Sequence, residues 1–193
     1  MPFDFTAAME RLCGDLCTRV EELRHIDMAK VAVGYRQARQ RVTHGLQASL
    51  TPLRFEHGAE TGRIRGRRYA CPRVVDRHGR ECLYVLNFYL PRFFDHPLEE
   101  RLTTVVHELW HIGPAMDGDI RRHEGRCYAH GPSQKGFDEH AARLARQWLA
   151  ADPPNELFEL LEASFDELLA THGGVIGAKY ATPKMMPLGA LAG

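Results

Sequence analysis

The hydrophobic pattern changes its period near residue 95, and this change narrows the folds open to the chain. Residues 81–90 (ECLYVLNFYL) are rich in aromatic and β-branched side chains, which is typical of a buried strand. From about residue 95 to residue 113 apolar residues recur at helical spacing, and Gly113-Pro114 ends the predicted helix. We expect Asp95 to cap this helix and Pro97 to lie in its first turn. A strand that leads almost directly into an amphipathic helix indicates a mixed fold.

The same periodicities predict the remaining elements. They are an N-terminal helix over 5–23, strands over 28–35, 45–55 and 68–75, and helices over 137–150 and 155–170. Residues 76–80 read as the turn of a hairpin. The order favours an α+β fold with a small, mostly antiparallel sheet and C-terminal helices over a doubly wound sheet. We expect a single domain over residues 1–193, with a loose tail from about residue 175.

Composition and charge limit the partners that this chain is expected to have. Hydrophobic residues make up 44% of the chain, charged residues make up 26%, and the formal net charge is zero. A neutral chain has no overall field that would attract nucleic acid or an anionic membrane, so we expect neither as a main partner. No apolar run has the length of a membrane span, and the N-terminus lacks the pattern of a signal peptide. The five cysteines form no regular framework, so we expect free thiols and a cytoplasmic location.

Two smaller clusters have both a functional and a structural interpretation. The first consists of four arginines, Arg63, Arg65, Arg67 and Arg68. Because no aromatic residue lies between them, we interpret this cluster as a solvated surface beside a strand, not as a phosphate-binding patch. The second consists of Cys71, His78 and Cys82. Its spacing matches no standard zinc knuckle, so packing within a hairpin is favoured over a second metal site.

The strongest chemical signal is the sequence His107-Glu108-Leu109-Trp110-His111. Two histidines four residues apart lie on one face of a helix, close enough to share a metal ion. Glu108 lies one residue round from His107, where it can reach a metal-bound water without being a ligand. The motif therefore predicts a zinc (Zn²⁺) site at His107 and His111, with Glu108 as the general base.

A catalytic zinc ion usually takes three protein ligands, so the motif needs a third from elsewhere. The irregular segment after Gly113 contains His123 and His130, and Glu139 lies near the start of the next helix. Any of these three side chains can supply the missing ligand. Tyr128 lies close to His130 in the sequence and is a candidate stabiliser of the oxyanion.

Two resemblances bear on the third ligand. The motif followed by His130-Gly131 and Phe137 resembles the SprT-like metallopeptidases, in which a third histidine follows the helix after a variable loop, often in a His-Gly pair. Residues 119–124 (DIRRHE) are instead similar to uncharacterised phage and archaeal metallopeptidases, whose further histidine follows an Arg-containing stretch. The first resemblance implies a zincin-like fold with His130 as the third ligand. The second implies His123, and Glu139 stays as a further alternative.

The resulting functional hypothesis is a zinc-dependent peptidase acting on a peptide or protein substrate. Glu108 would accept a proton from the water that attacks a peptide carbonyl and pass that proton to the leaving amine. We expect the strand over 81–90 to border the cleft and to pair with extended substrate. Alternatives are a zinc hydrolase of a non-peptide amide or ester, and a non-catalytic zinc-binding regulatory module with four protein ligands. Nucleic-acid binding by the arginine cluster is disfavoured by the zero net charge.

Overall fold

The computed structural model describes residues 1–39, 41–42, 44–124, 128–131 and 133–189. Its helices are α1 (Phe5–Arg19), α2 (Leu98–Trp110), α3 (Gln134–Ala150), α4 (Asn155–Glu162) and α5 (Phe165–His172). Its strands are β1 (Phe3–Asp4), β2 (Val31–Gln37), β3 (Ala48–Pro52), β4 (Thr61–Ile64), β5 (Arg67–Ala70), β6 (Val74–Val75), β7 (Glu81–Cys82), β8 (Tyr84–Leu90), β9 (Val175–Ile176) and β10 (Met186–Pro187). The α+β class is therefore confirmed.

The main sheet has three strands in the order β2-β8-β3, and the predicted buried strand lies in its centre. β8 runs parallel to β2, with Val31 opposite Tyr84, and antiparallel to β3, with Ala48 opposite Phe88. The main sheet is thus mixed, whereas we expected a mostly antiparallel one. Residues 38–83 join β2 to β8, and a connection of this length is what parallel pairing requires.

The two faces of this sheet pack against different parts of the chain. Alternate side chains of β8, including Leu86 and Phe88, join the helices in the larger hydrophobic core. Val85 faces the other way, into a smaller cluster with Leu53 and the partly buried Tyr180. The helices that carry the candidate site therefore lie on the larger-core side of the sheet.

Two predicted elements are divided in the structure. The strand predicted over 68–75 is split into β5 and β6, which belong to different hairpins. Pro72 lies between them and lacks the N–H that a continuous ladder requires. The helix predicted over 155–170 is split into α4 and α5, because Ser164 and Glu167 form a capping box that starts a new helix.

The start of α2 also differs from the prediction. Asp95 does not cap the helix but lies at the end of a 3₁₀ turn, where its carboxylate is 3.2 Å from the Arg41 guanidinium. Pro97 is the residue at the helix start, and it has no side-chain capping bond. The buried guanidinium of Arg101 donates to the carbonyls of Leu161 at 2.6 Å and Ala163 at 2.7 Å, which fixes α2 against the end of α4.

The segment from residue 175, expected to be a loose tail, is attached to the rest of the fold at several points. β9 pairs with β1, and β10 pairs with β5. Between them, the Ala178 N–H donates to the Thr6 hydroxyl at 2.8 Å, and the Ala178 carbonyl accepts the Tyr35 N–H at 3.0 Å. Backbone pairing, which side-chain periodicity does not reveal, therefore holds the tail in place. Among the described helices, none has both the length and the apolar character needed to cross a membrane.

Candidate metal centre

Helix α2 brings His107 and His111 side by side one turn apart. Leu102, Val105 and Leu109 are fully buried in the core and fix the orientation of the helix. The Nε2 atoms of the two histidines lie 3.2 Å apart. Two nitrogens 2.0–2.1 Å from one tetrahedral zinc ion would lie about 3.3 Å apart, so the observed separation fits shared coordination.

His130 joins this pair from the segment that follows the helix. One ring nitrogen from each of His107, His111 and His130 lies within 4.8 Å of the others. Gly131 follows with a φ of 71°, and a β-carbon there would lie 3.3 Å from the His123 ring. Glycine adopts this left-handed conformation without strain, which explains why a glycine follows His130. A three-histidine group that could hold a metal ion is therefore present.

The other candidate ligands lie outside this group. The His123 ring packs beside Gly131, and its buried Nε2 has no hydrogen-bond partner among the described residues. Glu139 is mostly exposed on α3, with its carboxylate 3.7 Å from the Lys135 ammonium. Within the described ranges, the three histidines are the one cluster of this kind, so Cys71, His78 and Cys82 form no second one. The geometry favours His130 as the third ligand.

The electrostatics of the rings also suit a metal ion. Burial lowers the pKa of His111 to about 3, and His107 and His130 add to this shift. Burial also lowers the pKa of His107, although the Asp138 carboxylate opposes this. Both imidazoles are therefore neutral at pH 7, which is the form in which histidine binds a metal ion.

Sequence reasoning missed the part that α3 plays in the site. The Asp138 carboxylate lies 3.0 Å from His107 Nδ1, which leaves Nε2 of His107 free for an ion. The Phe137 ring lies 4.8 Å from the rings of His107 and His111 and 5.0 Å from that of His130, measured between centroids. Both residues lie near the start of a helix capped by Ser133, whose hydroxyl accepts the Gly136 N–H. The spacing of residues in the sequence does not reveal that Asp138 is the partner of a candidate ligand.

Glu108 lies beside the histidines, and its side chain is partly buried. Its Oε2 accepts the backbone N–H of Leu50 in β3 at 2.7 Å. Burial raises the pKa of Glu108 to about 7, and the bond from Leu50 limits the rise. A carboxyl that titrates near neutral pH suits a general base.

The strand that borders Glu108 is β3, whereas we expected the strand over 81–90. β8 is hydrogen-bonded to β2 on one side and β3 on the other, so it has no free edge for a peptide. β3 is an edge strand, and the N–H of Leu50 points away from β8, as the register with Leu86 requires. The prediction about residues 81–90 was therefore wrong, because strand order cannot be read from one strand's composition.

The segment after α2 is tied back to the helix end. The Arg121 N–H donates to the His111 carbonyl at 2.6 Å, and its guanidinium stacks 3.6 Å from the centre of the Trp110 ring. Tyr128 is half-exposed. The Arg122 guanidinium packs against it, 4.8 Å from the centre of the Tyr128 ring. Its role toward an oxyanion stays a prediction. The four clustered arginines lie exposed on and around the β4–β5 hairpin.

Comparison with protein-family models, with curated proteins and with solved structures found no match for this chain. The zincin-like fold and the resemblance to SprT-like peptidases therefore stay predictions drawn from the motif.

Proposed function

We propose that this chain is a zinc-dependent metallopeptidase with a zincin-like fold. The observation that carries the proposal is the convergence of His107, His111 and His130 beside the partly buried carboxylate of Glu108. A bound zinc ion would supply a Lewis acid that polarises a carbonyl and lowers the pKa of a water molecule. The spacing of the His107 and His111 nitrogens, and the neutrality of their rings, support such an ion.

The residues around the centre have separate tasks in this proposal. The three histidines would hold the ion, and Asp138 keeps the His107 ring in one tautomer. Glu108 is held by the Leu50 N–H through Oε2, so Oε1 is the atom that takes the proton from the attacking water. The same atom then delivers that proton to the leaving amine. Phe137 excludes water from behind the histidine rings.

The free edge of β3 supports a peptide or protein substrate. Ala48, Leu50 and Pro52 alternate with the residues bonded to β8 and point their backbone groups outward. The Leu50 N–H is taken by Glu108 and Pro52 has none, so the edge offers the three carbonyls and the Ala48 N–H. An extended polypeptide can pair with such an edge next to the general base. A small amide or ester would use the same metal and base but would leave this edge unused.

A regulatory module with a closed site would need four protein ligands. Three ring nitrogens converge among the described residues, and His123 lies outside the group. This favours an open position and hence catalysis. A cytoplasmic location also belongs to the proposal, and it is supported by the free, buried thiols of Cys13, Cys17, Cys71 and Cys82.

The test of this function combines metal content with turnover. Elemental mass spectrometry of the purified wild type should give about one zinc ion per chain. His107→Ala and His130→Ala should lose the zinc ion, whereas His123→Ala should retain it. Glu108→Gln should keep zinc and lose cleavage of an unfolded protein such as reduced, alkylated casein. A zinc-free wild type after zinc supplementation, or a fully active Glu108→Gln variant, would refute the proposal.

A further inference from the structure

A cavity of about 420 Å³ opens beside His107 and Glu108. One wall is formed by residues 45–48, which lead into β3, and the opposite wall by the exposed side of α2. Asp138 also lines the cavity. The cavity and the candidate metal centre therefore share two side chains, so a substrate positioned at Glu108 would place a neighbouring group in this space.

Two side chains of the cavity wall, Thr104 and Gln47, direct hydrogen-bond donors to the wall itself. The Thr104 hydroxyl donates to Gln47 Oε1 at 2.9 Å, and Gln47 Nε2 donates to Glu100 Oε1 at 2.8 Å. This relay ends on a carboxylate, and the His107 Nδ1 is likewise engaged by Asp138 at 3.0 Å. Beside the neutral hydroxyl of Thr103, the groups left to meet a ligand are therefore carboxylates.

The charge of the wall has one sign. The carboxylates of Glu100 and Asp138 are each half-exposed, so oxygen lone pairs remain available. Glu108 also lines the cavity, but its Oε1 is the proposed general base and is not counted among the groups that bind the side chain. Neither lysine nor arginine is among the lining residues. A group that enters this cavity gains most if it carries a positive charge and several N–H donors.

The remaining wall is apolar enough for the stem of a long side chain. Leu46 and Ala48 line the same cavity as Glu100. Lysine and arginine combine an aliphatic stem with a cationic, donor-rich end, which matches this arrangement. An acidic side chain would place its charge against the carboxylates, and neither lysine nor arginine lines the cavity to receive it.

We propose that this cavity binds the side chain of a substrate lysine or arginine that lies next to the scissile bond. This specificity rests on the proposed peptidase function. Glu100 is the residue that determines it, because Asp138 also positions His107 whereas Glu100 has no contact with the histidines of the centre.

The test uses peptides blocked at both ends, so that the side chain is their one cation. Matched peptides carry Lys, Arg, Gln or Glu beside an otherwise constant cleavage site, and kcat/KM is measured with zinc-loaded protein. We expect Lys and Arg peptides to exceed the Gln and Glu peptides by about tenfold. Glu100→Gln should remove most of this preference, and Glu100→Lys should shift it toward the Glu peptide. Glu99→Gln is the matched control, since Glu99 is exposed on the same turn but does not line the cavity.

Equal rates for all four peptides, or an unchanged preference in Glu100→Gln, would overturn the specificity and leave the peptidase function standing. If no peptide is cleaved, the peptidase function fails, and the cavity is then tested by binding. Fluorescence anisotropy of labelled, blocked peptides should still rank Lys above Gln and Glu for the wild type. Equal affinities in that measurement would overturn the cavity's assignment as well.

Discussion

The Asp138 carboxylate determines which nitrogen of His107 faces the centre. An imidazole can present either ring nitrogen to an ion, and the choice depends on the hydrogen bond made by the other one. With Nδ1 held at 3.0 Å by Asp138, the ring is oriented before any ion arrives. At the scale of single residues, then, the proposed affinity for zinc depends on a side chain that is not itself a ligand.

Asp138→Asn tests this dependence. The amide keeps the shape of the side chain but loses its charge, so we expect the zinc affinity to fall about tenfold. Competition with a chromophoric chelator measures the dissociation constant directly, without reference to activity. Glu139→Gln, one residue further along the same helix and directed toward Lys135, should leave the constant unchanged. Equal affinities in the wild type and Asp138→Asn would contradict the role assigned to this carboxylate.

At the scale of elements, the sequence predicted features that depend on residues close together in the chain. It missed features that depend on residues far apart in the chain. β8 and α2 were predictable because burial on both faces and an apolar stripe leave a local pattern in the residues themselves. The His107 and His111 pair was predictable for the same reason. The contribution of α3 was not, because Phe137 and Asp138 meet the histidines only through the packing of two helices. The edge position of β3 depends on strand order, which is a tertiary property.

The attachment of α2 to the end of α4 depends on Arg101, a residue whose charge would suggest a surface position. Its guanidinium is buried, and it donates to the carbonyls of Phe94, His96, Leu161 and Ala163. Arg101→Met would fill the space but leave these carbonyls unpaired, so we expect a loss of about 3 kcal/mol in the free energy of unfolding. Urea denaturation measures the change. Arg146→Met, at an exposed position on α3, should change stability by less than about 0.5 kcal/mol.

The turn between β6 and β7 gives a pH-dependent contribution to stability. Burial alone would raise the pKa of Asp76, but the backbone N–H groups of Arg80 and His78 and the Arg80 guanidinium outweigh burial and lower it. A carboxyl whose pKa is lower in the folded state stabilises the fold above its unfolded value, near pH 3.9. That contribution disappears as the pH falls through the lower, folded-state value.

Asp76→Asn should therefore cost about 1–2 kcal/mol at pH 7 and much less in strong acid. Thermal or urea unfolding of both proteins between pH 7 and pH 2 measures the difference. The two stabilities should converge as the pH falls below about 4. A difference that is constant across this range would show that the charge of Asp76 contributes nothing to the turn.

At the scale of the whole molecule, the tail from residue 175 pairs with β1, near the start of the chain, and then runs along the second face of the main sheet. Gly34 in β2 is the point of closest approach, since a β-carbon there would lie 2.6 Å from the Tyr180 ring and 2.9 Å from the Ala178 carbonyl oxygen. The tail can therefore follow this path only because residue 34 has no side chain. This explains why a segment with little periodicity of its own has a defined path.

Gly34→Ala should displace the tail from the sheet. We expect a loss of about 1–3 kcal/mol in stability and faster cleavage of the tail in limited proteolysis, because the added methyl group has no space. Gly14→Ala is the matched control, since residue 14 lies in α1 with nothing within 4 Å of the added carbon. That substitution should instead stabilise the protein by about 0.5–1 kcal/mol. A tail equally protected in wild type and Gly34→Ala would contradict this account.

β8 is paired on both sides and β3 on one side, and this difference determines how readily the backbone hydrogen bonds of each strand break. β8 is bonded along both sides and buried, so its amide protons should exchange with deuterated water only when the whole molecule unfolds. β3 is bonded on one side, and its outward Ala48 amide can exchange through small, frequent openings, whereas the Leu50 amide is held by Glu108 and Pro52 has no amide proton. The rim of the site can therefore yield to an incoming chain on a short timescale, while α2 and the buried strand β8 keep His107 and His111 in place.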